Sequence, residues 1–263
     1  MQSLYEEVLE GPLLGQIILL CNMGSISHGT HNPDPESIDD IDVMGAAVPS
    51  RDYYFGFEKF GSRDTMEIKE GRFDIVLYEA RKFIGLLAKG NPNVIGTLFL
   101  KPEFYLLVTH EGEMLVRERS RFLTQNLVHS MLGYANDQLR RVDKSLKLNP
   151  AYKGYMGAKR KKLVEEYGYD TKYASHLIRL LRMCREFIET RELNVYRDKD
   201  FQNLRDIKTG KYKFEYVERE AANLFRECSE RLYLIADLPV APDKDFLNEL
   251  AVRINFRRVA GSR

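Results

Sequence analysis

Three carboxylates and a glycine-serine pair are the residues whose types and spacing could do chemistry. Asp40 and Asp42 stand two apart in DDIDVMGAAV, and Asp74 opens FDIVLY. If DDIDVMGAAV is a strand, side chains alternate between its faces, so Asp40 and Asp42 point one way while Ile41 and Val43 point the other. The strand rise separates the two acids by about 7 Å, close enough to share two cations about 3.5 to 4 Å apart. Asp74 on a neighbouring strand would complete an oxygen cage and could orient or deprotonate an attacking hydroxyl. Hard-oxygen cages of this kind serve phosphoryl-type transfer, where Mg2+ or Mn2+ offsets phosphate charge.

A pair of acids two apart is by itself also an ordinary solvated strand face. Gly24 and Ser25 add context, because they directly follow the apolar run QIILLCNM. A glycine there lets the backbone approach a phosphate, and the serine adds a hydroxyl donor. Taken alone, the same pair reads equally well as a turn and a helix cap. His28 and His31 lie close to the acids in sequence and open a rival reading, a zinc or other transition-metal hydrolase with mixed ligands. Their turn-rich segment carries no HExxH-type register to fix such ligands on a rigid element.

Farther along, Lys172, His176 and Arg179 are spaced i, i+4, i+7 in TKYASHLIRLLRM, with Leu177, Leu180 and Leu181 on the other side. On a helix that spacing stacks the three on one face. Such a stripe could clamp a triphosphate and steady a pyrophosphate leaving group, or be simply the solvated face of an amphipathic helix. Residues 140 to 163 carry nine basic groups against one acid. This basic connector, with Tyr152 and Tyr155 inside it, would suit a polyanion, or be a solvated loop.

The elements that must position these groups follow from periodicity. QIILLCNM, DDIDVMGAAV and FDIVLY read as three strands. The prolines of THNPDPES mark a loop between the first two, and EARKFIGLLAKG reads as a helix with a glycine stop. From about Glu113 the pattern turns helical, in EMLVRERSRFLTQNLVHSMLGYANDQLRRV and TKYASHLIRLLRMCREFIET. Lys89, Gly90, Asn91 and Pro92 terminate the helix after the third strand, with Asn91 near a cleft as the functional alternative. The expected fold is α+β: a small mixed-sheet head over residues 1–112 and a mostly helical region over 113–263 that completes a nucleotide and acceptor cleft.

Bulk properties agree. Of 263 residues, 44% are hydrophobic and 30% charged, which excludes disordered and fibrous classes. Residues 1–50 contain no Lys or Arg but eight acids, Glu6, Glu7, Glu10, Asp34, Glu36, Asp39, Asp40 and Asp42. Removing those eight negative charges from a net charge of +1 leaves +9 on the rest. An acidic start suits a cation site and a basic remainder suits a phosphate-bearing ligand, though uneven surface charge reads the same way. Cys21, Cys184 and Cys228 form no CxxC pair, which points to a reducing compartment, the cytoplasm. LLGQIILLCNM is too short to span a bilayer and has no basic residue before it, so no membrane segment is expected.

The order strand, GSISHG, variable loop, DDIDVMG, then FDIVLY resembles the polymerase β nucleotidyltransferase superfamily. KFIGLLAKGNPNVIGTLF, GYDTKYASHLIRLLRM and LRDIKTGKYKFEYVE further resemble the YcgL-like predicted nucleotidyltransferases of bacteria and phages. The resemblance covers most of the chain. It implies Asp40 and Asp42 as ligands of two Mg2+ or Mn2+ ions, Asp74 as the third metal-binding and catalytic carboxylate, and Gly24 and Ser25 at the triphosphate. It also tips Lys172, His176 and Arg179 toward nucleotide binding. The implied substrate is a nucleoside triphosphate such as ATP, and the basic connector at residues 140 to 163 slightly favours a nucleic acid end as acceptor. A non-catalytic nucleotide- or nucleic-acid-binding protein of the same fold is the alternative. The long segment between Ser25 and Asp40 departs from the family pattern at the nucleotide entrance.

Overall fold

The computed structural model describes residues 11–31, 39–146 and 158–261. Most of THNPDPES, and residues 147–157 of the basic connector, lie outside the described residues. The chain divides into two compact units, Met1–Thr124 with Val240–Arg263, and Gln125–Pro239.

The first unit is built on a five-stranded sheet of order β3-β4-β2-β1-β5. Its strands are β1 (Ile17–Asn22), β2 (Ile41–Ala47), β3 (Thr65–Glu70), β4 (Phe73–Glu79) and β5 (Tyr105–Val108). The three strands expected from apolar runs are β1, β2 and β4. β1 is buried throughout, as its unbroken apolar sequence requires. β2 runs antiparallel to β1 and parallel to β4, while β3 and β5 are antiparallel edges, so the sheet is mixed. Ile17, Leu20, Val43, Ala47, Phe60, Ile75 and Leu77 form the core cluster against it.

Short helices α1 (Gly24–Ser27) and α2 (Arg51–Phe55) follow β1 and β2. After β4 comes α3 (Ala80–Ala88), capped by the Glu79 carboxylate, which accepts from the Lys82 N–H. Asn91 caps α4 (Pro92–Gly96), its side-chain oxygen accepting from the N–H groups of Asn93 and Val94. That is a structural use of Asn91. Next, α5 (His110–Arg117) packs on β1 so closely that a Cβ at Gly112 would lie 2.1 Å from the Ile18 carbonyl oxygen.

The first stretch of the first unit ends at Thr124, beyond α5. The helical pattern beginning at Glu113 is also interrupted, by a 3-10 turn at Arg119–Phe122, before α6 (Gln125–Leu146) starts. The last helix, α11 (Lys244–Gly261), returns to the first unit. Arg258 donates to the Ile17 carbonyl at 3.1 Å, the Tyr54 hydroxyl donates to Asn255 Oδ1 at 2.7 Å, and Phe122 stacks obliquely on Phe246.

The second unit is helical, comprising α6, α7 (Ala158–Tyr167), α8 (Thr171–Thr190), α9 (Phe201–Lys208) and α10 (Phe214–Glu230). α8 is its centre, packed by α6, α7, α9 and α10. It begins at Asp170, whose carboxylate accepts from the Tyr173 N–H at 3.0 Å, and it coincides with TKYASHLIRLLRMCREFIET. Below it, Arg197 is buried and forked onto Glu186 and Asp200. Among the described residues no helix is long and apolar enough to cross a membrane.

Candidate active site

Asp42 and Asp74 are direct partners in the parallel pairing of β2 with β4. Adjacent strands lie about 4.8 Å apart, so the two carboxylates stand side by side on one face. The next pair, Val43 and Ile75, is buried on the opposite face, which is what alternation requires. Asp40 lies just ahead of β2 with the same parity as Asp42, and the Ile41 N–H donates to the Arg72 carbonyl to begin the strand. Lys69, the cross-strand partner of Asp74 on β3, places its ammonium 2.9 Å from Asp74 Oδ2. That hydrogen bond raises the Lys69 pKa, with the charge of Asp40 contributing in the same direction.

The glycine-serine turn sits against the same carboxylates. The Met23 N–H donates to the Asp42 carbonyl at 2.7 Å, delivering Gly24 beside the Asp42 side chain. Gly24 has φ of +59°, and a Cβ built on it would lie 1.8 Å from Asp42 Oδ2. Only a glycine fits there, on both conformational and steric grounds. Ser25 Oγ is 3.1 Å from His31 Nδ1, and the same nitrogen is 4.0 Å from Oδ2 of the buried Asp39. His28 is buried at the end of α1.

The donor set is hard oxygen, which suits Mg2+ or Mn2+ better than a soft metal. Among the described residues, no three His, Cys, Asp or Glu side chains are gathered as they stand into a metal-holding group. Asp74 instead engages Lys69, so a cation bridging Asp42 and Asp74 would meet a carboxylate already paired with an ammonium.

Lys172, His176 and Arg179 lie on α8 in the second unit. Arg179 is only 8% exposed, and its Nη1 donates to the Met183 thioether at 3.2 Å. Burial, reinforced by nearby Arg197, pushes its pKa down to about 10. His176 is held well below the ordinary imidazole value, first by burial and then by Arg179, Lys172, Lys208 and Arg160. The stripe is therefore no freely solvated face.

Lys69, Asp39 and Lys208 carry no motif in the sequence that marks them as site residues, and Arg160 stands out there only as part of the basic segment 140–163. Lys69 could have been found by reading TMEIKE as an edge strand opposite FDIVLY. The His31 contact with Ser25 carries no local signal, because it depends on how the turn closes.

Residues 6–212 match the RlaP family, described as the RNA repair pathway DNA polymerase beta family. The chain belongs to this family. The match runs from the sheet unit through α9, and RlaP membership gives the protein a nucleotidyl-transfer role on a polymerase beta-like α+β fold. Among solved structures, the chain is similar to a nucleotidyltransferase-like protein from Exiguobacterium sibiricum 255-15, at 10% identity and a TM-score of 0.30, over 98% of this chain and 76% of that one. No residue role transfers at that distance. No curated protein matches the chain.

Proposed function

We propose that this RlaP-family protein transfers a nucleoside monophosphate from a nucleoside triphosphate, such as ATP, to an acceptor hydroxyl, releasing pyrophosphate. The observation that carries the reading is the register of Asp42 with Asp74, with Gly24 closed against Asp42. Asp40, Asp42 and Asp74 would hold two Mg2+ or Mn2+ ions. Such ions would offset phosphate charge and lower the cost of ionising the acceptor hydroxyl.

The remaining roles belong to the chain itself. Gly24 admits the triphosphate to the backbone, and the Ser25 hydroxyl donates to a phosphate oxygen. Asp74 orients the acceptor hydroxyl and takes its proton as the new bond to the α-phosphorus forms and the bond to the pyrophosphate oxygen breaks. For this, Lys69 must release Asp74. Lys172, His176 and Arg179 bind nucleotide phosphates as hydrogen-bond donors of the second unit. A nucleic acid end is the favoured acceptor, in keeping with the RNA repair named in the family description. Three buried, unpaired thiols suit a reducing cytoplasm.

The test is pyrophosphate release from each of the four ribonucleotides with Mg2+ and an RNA bearing a free 3′ hydroxyl, comparing wild type with Asp42→Asn. Release by wild type and its loss in the variant support the reading. Equal nucleotide binding by both proteins with no turnover by either would instead establish a non-catalytic binding protein.

A further inference from the structure

Basic side chains from three helices gather inside the second unit. On α8, Lys172, His176 and Arg179 share a face, and His176 lies within the electrostatic reach of Arg160 from α7 and Lys208 from the end of α9. α9 is tied down one residue away, where the Ser175 hydroxyl donates to the Leu204 carbonyl at 2.9 Å. Four basic side chains thus act electrostatically on one imidazole. Of the carboxylates nearby, Asp170 lies 3.6 Å from Arg160, and Asp200 is shared with Arg182 and Arg197.

Two donors in this cluster are poorly satisfied. Arg160 Nη1 is buried with no hydrogen bond among the described residues, its anionic contact being the 3.6 Å ion pair with Asp170 Oδ2, while its guanidinium stacks 3.7 Å over the Tyr173 ring. Arg179, more than nine-tenths buried, gives a hydrogen bond to a thioether, a weak acceptor. Crowding half-buried cations around a buried guanidinium becomes more favourable when a further anion joins them, and a neutral imidazole still offers a ring N–H. Guanidinium forks with added ammonium groups match the geometry and charge of a phosphate group.

We propose that Arg160, Lys172, His176, Arg179 and Lys208 form a phosphate-binding site that belongs to the second unit alone and needs no metal ion. The proposal rests on the phosphate-binding reading of the three α8 residues and is independent of the transfer chemistry. The phosphate has two candidate sources, the polyphosphate tail of a nucleotide and the terminal phosphate of a nucleic acid strand.

Calorimetric titration of the full chain in EDTA separates these. Tripolyphosphate should bind wild type and Asp42→Asn alike, and bind at least about tenfold more weakly to Arg160→Gln and Lys208→Gln. Thermal melts of each variant confirm folding, and Arg179→Met, which suits its apolar surroundings, serves as a third variant should either of the others unfold. Stronger binding of an RNA with a 5′ phosphate than of the same RNA with a 5′ hydroxyl assigns the strand end. Binding of ATP and tripolyphosphate without that difference assigns the nucleotide tail. No tripolyphosphate binding by wild type at millimolar concentration, or unchanged binding by every folded variant, overturns the site. Because turnover is measured separately, phosphate binding without pyrophosphate release would sink the proposed activity and leave this site standing.

Discussion

Asp42 and Asp74 face each other across β2 and β4, one residue before the buried pair Val43 and Ile75. Like charges directly opposite each other on neighbouring strands destabilise by about 0.2–1 kcal/mol, here partly offset by Lys69 on Asp74. Asp42→Asn should therefore leave the melting temperature unchanged or slightly raised while lowering nucleotidyl transfer by about a hundredfold or more. Melting curves and pyrophosphate release decide this together. A variant that keeps its turnover removes Asp42 from the chemistry.

Gly24 and Gly71 make an internal comparison. Both have positive φ, +59° and +57°, but a Cβ at Gly24 strikes Asp42 Oδ2, while one at Gly71 meets nothing within 4 Å. Each alanine variant should lose about 1–2 kcal/mol from the left-handed backbone. Only Gly24→Ala should also lose turnover, because Asp42 must move. Equal turnover in the two variants would show that the close approach of Gly24 to Asp42 is dispensable.

The depressed pKa of His176 sets a pH dependence. An unfolded histidine takes up its proton near pH 6.5, whereas the folded one, held lower by burial and four neighbouring cations, stays neutral. The unfolded state then binds more protons in that window, so stability falls as pH drops below about 6.5 and is unaffected by this group above it. The slope reaches at most about 1.4 kcal/mol per pH unit. Denaturant titrations between pH 5 and 8 should show a shallower slope for His176→Gln, and added phosphate should reduce the wild-type slope.

Arg197 is 3% exposed and forked onto Glu186 at 2.6 Å and 2.7 Å, with Asp200 accepting from Nε at 2.8 Å. Removing it takes this partner from partly buried Glu186 and leaves Asp200 with Arg182. Arg197→Ala should cost about 3 kcal/mol in urea denaturation, and Arg197→Ala combined with Glu186→Gln less than the sum of the two. Additivity would show that the pair is not coupled.

Local pattern was enough for β1, β2, β4 and α8, because unbroken apolar runs, period-two alternation and three-four spacing are properties of neighbouring residues. The shared face of Asp40 and Asp42 follows from that alternation alone. β3 and β5 escaped, since TMEIKE is half polar and lies at an exposed edge, and YLLV is four residues long. The return of α11 to the sheet unit escaped too, being a matter of which surfaces meet across more than two hundred residues.

Tertiary structure alone decided that β4 pairs with β2 in the register that sets Asp74 beside Asp42, that Lys69 crosses to Asp74, and that Arg179 is buried against a thioether. Strand parity is encoded in adjacent positions, but register and burial are set by whatever distant segment packs alongside. Only the folded chain brings those segments together.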